Sequence, residues 1–339
     1  MEKDKYTKYE FGVSDYLQLS LWYIIMGTLI YFLGWILGFL AYVAFYLVAT
    51  WCLKKFVNLE VMTGGDEIWF TDDKRNMLNI VAYHKYEKIP DIDVFRRTIL
   101  ERILVYPRLK SKIVKALGKF MFRTITDEEV IAKIDEIMPI VSGIHGEDEL
   151  AEYMSEQQST RLPLNNLQWR IYFVPDYSPT ESLFVYKVHH SLADGIATIL
   201  FFNDMTDDPK MENYPNLLVR FSFLQDLAMK LVMPIYLLWL GFKLVIIFGI
   251  ERNGFKTNEN VKQLTSKKNV VLLPDINIKD LKRRARELTT DVTKITINDI
   301  LMTTLSKTLH DYLRLHTDDK ETTWLKFAVP FSLRRPPRF

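Results

Sequence analysis

The chain is poor in cysteine. Among 339 residues only Cys52 carries a thiol, so neither an intramolecular disulfide nor a cysteine metal cluster can form. It is also poor in net charge, with 44 basic side chains against 42 acidic ones. Nucleic acid is therefore a poor partner, because phosphate backbones are held by an excess of positive charge on one face. No Asn-x-Ser/Thr glycosylation acceptor occurs. Together with the scarcity of thiols, this fits a domain facing a reducing, cytosol-like compartment. A further absence has structural weight: from Tyr16 to Trp51 there is no charged residue at all.

What is present describes a folded protein. A hydrophobic share of 48% and a charged share of 25% are globular values, and the length allows one large domain or two ordinary ones. Aromatics at 13% suit a membrane surface or a deep apolar pocket.

As a helix, the charge-free stretch would reach ~54 Å, whereas a hydrocarbon core is ~30 Å thick. Either one tilted span carries an apolar extension, or a helical hairpin turns near Gly34, Trp35 and Gly38. Lys3, Lys5 and Lys8 precede the stretch, and Lys54 and Lys55 follow it. Positive flanks prefer the cytoplasmic face, so a hairpin returning to its starting side accounts for both sets better. A secretory signal fits less well, since its apolar region would be ~15 residues at most. A buried core helix is the bland alternative. Residues 1–56 are thus expected to be a membrane anchor.

A second apolar patch, Leu231 to Ile250, is interrupted by Lys243 and contains Pro234. A lysine inside a span is costly unless it snorkels, so a helix lying on the membrane surface is favoured over a crossing. It falls in an expected linker, residues 210–262, whose beginning is charged and proline-bearing.

Between and after these patches the pattern is mixed α/β. Ile92, Phe95, Ile99, Leu100 and Ile103 recur at helical spacing within Asp91 to Leu104. Asp127 opens another helix, with Val130, Ile131, Ile134 and Met138 on one face. Trp169 to Val174 and Ser182 to Val188 predict strands, with a further one over Lys267 to Leu273. A helix follows from Thr296, with Ile297, Ile300, Leu301, Leu305, Leu309 and Tyr312 as its stripe. Lys326 to Val329 predicts a last strand, ended by Pro330.

The chemistry-bearing run is His189-His190-Ser191-Leu192-Ala193-Asp194-Gly195, placed between a buried-type strand and an apolar segment. Strand, tight loop and helix together present loop side chains at the end of a sheet. Histidine exchanges a proton near neutral pH. A carboxylate four residues on can fix the loop or neutralise a cation, and glycine opens backbone conformations closed to other residues. Two adjacent histidines alone would be weak evidence. A zinc site would want a third ligand, and only His84, His145, His310 and His316 remain. No resident metal is expected. Each of those four histidines has an ordinary explanation as a core or solvated side chain. Lys282, Arg283, Arg284 and Arg286 could meet the phosphates of a ligand, though such a run is more often the wet face of a helix.

The complete pattern His-His-x-x-x-Asp-Gly resembles the signature of the acyltransferase superfamily that includes chloramphenicol acetyltransferase, carnitine acyltransferases and peptide-synthetase condensation domains. Within it the chain is most similar to the wax ester synthase/diacylglycerol acyltransferase family, from about Val61 to Arg335. Met62 to Phe70 resembles that family's opening segment, and Tyr106-Pro107-Arg108-Leu109-Lys110 its prolyl-arginine element. Pro163-Leu164 with Trp169 resembles the stretch before the first catalytic strand, with shorter spacing and Asn165 where an aspartate is usual. Asn298-Asp299 matches an Asn-Asp pair, and Val329 to Arg334 a Pro-x-Ser-x-Arg strand.

The resemblance implies a fold and a set of roles. The fold is an α/β (α+β) two-layer sandwich, of which residues 57–209 form the first, chloramphenicol-acetyltransferase-like half and residues 263–339 begin the second. His190 becomes the general base, His189 supports its geometry, and Asp194 orients the loop through an ion pair. Gly195 leaves room beside the channel, and Asn298 and Asp299 shape the site. No cofactor is held; acyl-CoA is a co-substrate, a lipid alcohol the acceptor, and no acyl-enzyme is needed. Cys52 and Ser191 are poor nucleophiles by position. Family members run well beyond the Pro-x-Ser-x-Arg strand, so a fragment or shortened relative is expected.

Two functions compete. One is a membrane acyltransferase of lipid alcohols, at the endoplasmic reticulum with its catalytic domain cytosolic. The other is a non-catalytic homologue kept as an anchored accessory subunit. A homo-oligomer or membrane complex is compatible with either.

Overall fold

A computed structural model describes residues 12–62, 66–67, 70, 77–89, 91–195, 197–198, 201, 205, 222–250 and 265–316, with only part of the side chains in 223–250. They divide into two units: residues up to Lys210 with Leu264–Leu272, and Met211–Gln263 with Leu273–Phe339.

The charge-free stretch of the first unit folds as two helices, α1 (Val13–Leu33) and α2 (Trp35–Val57). Gly34 joins them at φ 75°, a left-handed conformation that glycine adopts without a Cβ penalty. Gly38 then lets α2 lie on α1, since a Cβ there would sit 2.5 Å from the Ile30 Cα. The hairpin, not the single tilted span, is the arrangement formed. Both helices are long and apolar enough to cross a membrane, and only 6% of each apolar window is buried. They are not core helices of the folded domain.

The domain has two antiparallel sheets. Strands β1 (Leu59–Val61), β3 (Ser111–Ala116) and β4 (Lys119–Thr124) form one in the order β1-β4-β3. Strands β2 (Asn79–Glu87), β5 (Trp169–Val174) and β6 (Glu181–His189) form the other in the order β2-β6-β5, with β6 central. Leu117 and Gly118, at φ 52° and 69°, make the two-residue turn between β3 and β4, the paired positive φ that matches strand twist.

Side chains alternate along β6. Phe184, Tyr186 and Val188 face a core shared with Trp169, Ile171 and Phe173 of β5. Ile99, Leu100 and Ile103 of α3 (Ile92–Leu104), with Phe120 and Phe122 of β4, close that core. Leu183 and Val185 point the other way, onto Leu150 and Met154 of α6 (Glu147–Ser159). Burying one such side chain contributes ~1.5–3 kcal/mol, so both faces anchor the strand that ends at the histidines.

Caps fix the helix starts. Asp91 Oδ1 accepts the Asp93 and Val94 N–H groups, and Thr126 and Glu129 form a capping box. The helix from Asp127 is not continuous. It breaks into α4 (Asp127–Ile131) and α5 (Ile134–Ile137), which leaves Ile131 49% exposed while Ile137 and Met138 are fully buried. The turn between them re-aims the chain so that both reach the core.

The strand foreseen over Lys267 to Leu273 is absent. The Lys268 and Val270 N–H groups donate to the Ser159 and Ser155 hydroxyls of α6, so an extended segment is bound by side chains instead of a ladder.

The second unit contains α7 (Phe223–Ile250), α8 (Ile278–Leu288) and α9 (Ile297–His316). The apolar patch 231–250 is thus the later part of one 28-residue helix. The strand foreseen over Lys326 to Val329 and the Val329 to Arg334 match lie outside the described residues.

Candidate active site

The two histidines stand at the end of the central strand. His189 is the last residue of β6 and His190 the first of the turn, so the strand reaches one residue further than its sequence pattern indicates. Neighbours clamp this end from both sides: the His189 N–H donates to Gln168 O at 2.9 Å, and the His190 N–H to Leu78 O at 2.9 Å. The Leu192 N–H then closes a tight turn on His189 O at 3.0 Å, with Leu192 buried in the core.

The pair divides into a sealed ring and a partly open one. His189 is fully buried, with its ring centroid 5.0 Å from that of Phe70. Its Nδ1 accepts the Ser191 N–H at 3.2 Å and lies 2.8 Å from the Ser191 hydroxyl. An acceptor Nδ1 places the neutral ring's proton on Nε2. His190 is only half-buried, with its Nδ1 itself enclosed. A hydroxyl on an imidazole nitrogen is also the geometry of an activated serine. Here the Ser191 side chain is fully buried and bonded within its own turn, so it cannot meet a substrate carbonyl.

Asp194 caps the helical turn that begins at Gly195. Its Oδ1 accepts the Ala197 N–H at 2.9 Å, and its carbonyl accepts the Thr198 N–H and hydroxyl at 2.9 and 2.8 Å. Asp194 thus supports the loop as a helix cap. A Cβ on Gly195 would meet no described atom within 4 Å, so space lies beside it. Asn298 and Asp299 lie in the first turn of α9, in the other unit. There the Asp299 carboxylate accepts the Thr296 hydroxyl and N–H at 2.7 and 2.8 Å, bonds that hold its pKa below the usual value.

Beneath the histidines lies a polar layer that sequence reasoning missed. Asn79, the ladder partner of His189, donates from Nδ2 to Thr160 O at 2.9 Å. Lys187, two residues before His189 on the same strand face, donates to Thr160 Oγ1 at 2.8 Å. It is 2% exposed; burial first, then the Arg170 charge, push its ammonium down to about 7, against a smaller pull from Glu156. A lysine in an otherwise apolar strand was the available signal.

Three of the weaker sequence elements are linked to one another within the first unit. Arg108 pairs with Asp66 at 3.1 Å and Glu60 at 3.4 Å, its guanidinium 4.1 Å over the Phe122 ring. Trp169 Nε1 donates to Leu109 O at 2.7 Å. Asn165 takes φ 58°, a conformation asparagine tolerates better than most residues. Gly64, Gly65 and Trp69 lie outside the described residues.

Of the remaining histidines, His84 and His145 lie elsewhere in the first unit, and His310 and His316 belong to α9 of the second. His84 is in β2, its ring centroid 5.5 Å from those of Phe184 and Tyr186, and burial lowers its pKa. His145 is exposed with Nδ1 2.8 Å from Asp176 O, and His310 is exposed on α9. Among the described residues no group of three side chains is placed to hold a metal ion. Arg283 and Arg284 of α8 are exposed and pair with Asp280 and Glu287, as a wet helix face does.

No family model matches the chain, and no curated protein matches it. Among solved structures, a wax ester synthase/diacylglycerol acyltransferase from Marinobacter aquaeolei overlaps 41% of this chain and 36% of its own, at 13% identity and TM-score 0.33. The first condensation domain of the calcium-dependent antibiotic synthetase overlaps 43% and 35%, at 16% identity and TM-score 0.36. A trichothecene 15-O-acetyltransferase from Fusarium sporotrichioides overlaps 43% and 34%, at 11% identity and TM-score 0.35. The chain spans about a third of the length of the solved structures it matches. Likenesses of this extent carry no argument.

Proposed function

We propose that this chain belongs to a membrane-attached O-acyltransferase that moves a fatty acyl group from acyl-CoA to a lipid alcohol, with His190 as general base. The observation that carries the reading is the division of labour in the pair. His189 is buried and fixed by Ser191, while His190, clamped at the same strand end, is only half-buried. A base must be both positioned and reachable, which favours the half-buried His190 over the fully buried His189.

In the reaction, His190 takes the proton of the acceptor hydroxyl as that oxygen attacks the thioester carbonyl carbon. The tetrahedral intermediate collapses with cleavage of the C–S bond, and the proton passes from the imidazolium to the departing coenzyme A thiolate. General-base assistance of this kind is worth ~10²–10⁴-fold. Asp194 and Gly195 support it by starting the next helix, with open space at the Gly195 Cα. The hairpin of α1 and α2 would hold the site where long-chain alcohols or diacylglycerol partition, on the cytosolic side of the endoplasmic reticulum.

The test is ester formation by the detergent-solubilised chain from labelled palmitoyl-CoA with hexadecanol or dioleoylglycerol. His190→Ala is expected to lose at least ~10²-fold. Equal yields from both proteins would overturn the assignment. Absence of product from either would favour the accessory, non-catalytic reading.

A further inference from the structure

We infer that the α1–α2 hairpin is sunk into one leaflet of a bilayer, its Gly34 tip near the midplane, and does not cross. This rests on the membrane part of the reading above, and two observations carry it.

The first is where the folded domain grips the hairpin. The Leu117–Gly118 turn lies against the lower part of α1: the Trp22 indole donates to Leu117 O at 3.1 Å, and a Cβ on Gly118 would fall 2.4 Å from Leu19 N. Beside it, Lys115 pairs with Asp15 at 3.6 Å, and Lys119 lies 5.9 Å over the Tyr46 ring of α2. Beyond Trp22 and Tyr46, eleven residues of each helix remain, Tyr23 to Leu33 and Trp35 to Phe45. At 1.5 Å per residue both arms project ~17 Å, about half of a ~30 Å hydrocarbon core.

A full crossing would need the hydrocarbon to reach Val13, since α1 is only ~31 Å long. The Gly118 turn, docked at Leu19, would then sit ~9 Å inside it. Lys119 would be carried in with it, and the Lys115–Asp15 pair would lie ~3 Å below the boundary. Charges and open turn backbone at that depth cost several kcal/mol, whereas half-insertion leaves them among the headgroups. Trp22, Tyr23, Tyr42 and Tyr46 then fall near the interface, where such rings gather.

The second observation is the tip. Tyr31, Phe32, Leu33, Trp35, Ile36 and Leu37 are 83%, 75%, 47%, 80%, 77% and 63% exposed, with no charged or amide side chain among them. A tip that emerged on the far side would present that surface to water. One that stops in the leaflet keeps it in hydrocarbon. The partner is therefore a phospholipid leaflet, entered from the side of the folded domain.

The test uses the full chain with Cys52→Ser and one new cysteine, at Trp35→Cys or, as reference, Leu21→Cys. Each protein is spin-labelled in dioleoylphosphatidylcholine vesicles, and collisions with oxygen and a nickel chelate are compared. Position 35 is expected to show the oxygen-rich, nickel-poor profile of the bilayer centre, and position 21 that of the headgroups. In separate vesicles holding the unlabelled protein, a membrane-impermeant maleimide sealed inside is expected to leave the position 35 thiol unmodified. Modification from inside would show a crossing and overturn the inference. Nickel access at position 35 equal to that of an exposed domain site would show no insertion and overturn it too. Leu37→Cys repeats the measurement if Trp35→Cys fails to fold. Depth is read without turnover, so loss of acyl transfer would leave this inference standing.

Discussion

The Ser191 hydroxyl lies 2.8 Å from Nδ1 of His189, and the Ser191 N–H donates to the same nitrogen. The buried ring is therefore held in the tautomer with its proton on Nε2. Ser191→Ala removes one of the two contacts and leaves the backbone one. The expected loss is ~1 kcal/mol of stability, with acyl transfer lowered but not abolished. Imidazole nitrogen shifts of His189 should still report an unprotonated Nδ1. Complete loss of turnover with an unchanged melting temperature would instead make Ser191 a nucleophile.

Asp194 acts on the loop through its cap. Asp194→Ala deprives the Ala197 N–H of its acceptor and should cost ~1 kcal/mol. Asp194→Asn keeps a capping oxygen and should retain most of that stability. Urea titration of the three proteins separates them, and an asparagine variant as unstable as the alanine one would show that the charge, not the cap, matters.

Arg108 joins two separated sequence elements through Asp66. Both groups are partly exposed, 30% and 22%, so the pair should contribute no more than ~1 kcal/mol. A double-mutant cycle of Arg108→Ala and Asp66→Asn measures it. Arg108→Lys should lose part of this, since an ammonium cannot match the flat guanidinium over Phe122. Additive single variants would show that the two elements are energetically independent.

The elements that were legible in the sequence have strong local causes. The break in the apolar pattern at Gly34, the cap at Asp91 and the alternation around Trp169 and Phe184 each depend on neighbours a few residues away. The helix from Asp127 was misread because its break serves Ile137 and Met138, whose burial is a tertiary demand. The segment around Val270 was misread for a similar reason, as its amide donors go to serines 115 residues away or nearly so. At the site, the histidine pair was legible as chemistry, but which ring stays open depends on packing. Ser191, Phe70 and Asn79 supply that packing, and no spacing rule connects them.

Gly118 tests the grip on the hairpin. Its φ of 69° and the 2.4 Å approach of a Cβ to Leu19 N forbid a side chain without movement of α1. Gly118→Ala is expected to cost ~1–3 kcal/mol through strain and lost contact. Fluorescence of Trp22 should shift as its bond to Leu117 O opens. An unchanged stability would mean that the turn and α1 are not held together.

Lys187 gives stability a pH dependence whose sign can be worked out. Its folded value of about 7 lies below the ordinary 10.5, so between these values the unfolded chain holds a proton that the folded one has lost. Where the unfolded state binds more protons, stability rises with pH, by at most ~1.4 kcal/mol per unit for one group. Below pH 7 both states are protonated and the folded state carries the whole cost of a buried ammonium. Lys187→Met removes the titration, and Thr160 keeps a partner because its hydroxyl also donates to Gln157 O at 3.3 Å. Urea unfolding from pH 6 to 9 should therefore show stability climbing above pH 7 in the parent chain and a flatter profile in the variant. The variant's advantage should be largest at pH 6, where the buried charge is fully present, and should shrink as the lysine gives up its proton. Parallel profiles would mean that Lys187 reaches water as freely in the folded chain as in the unfolded one.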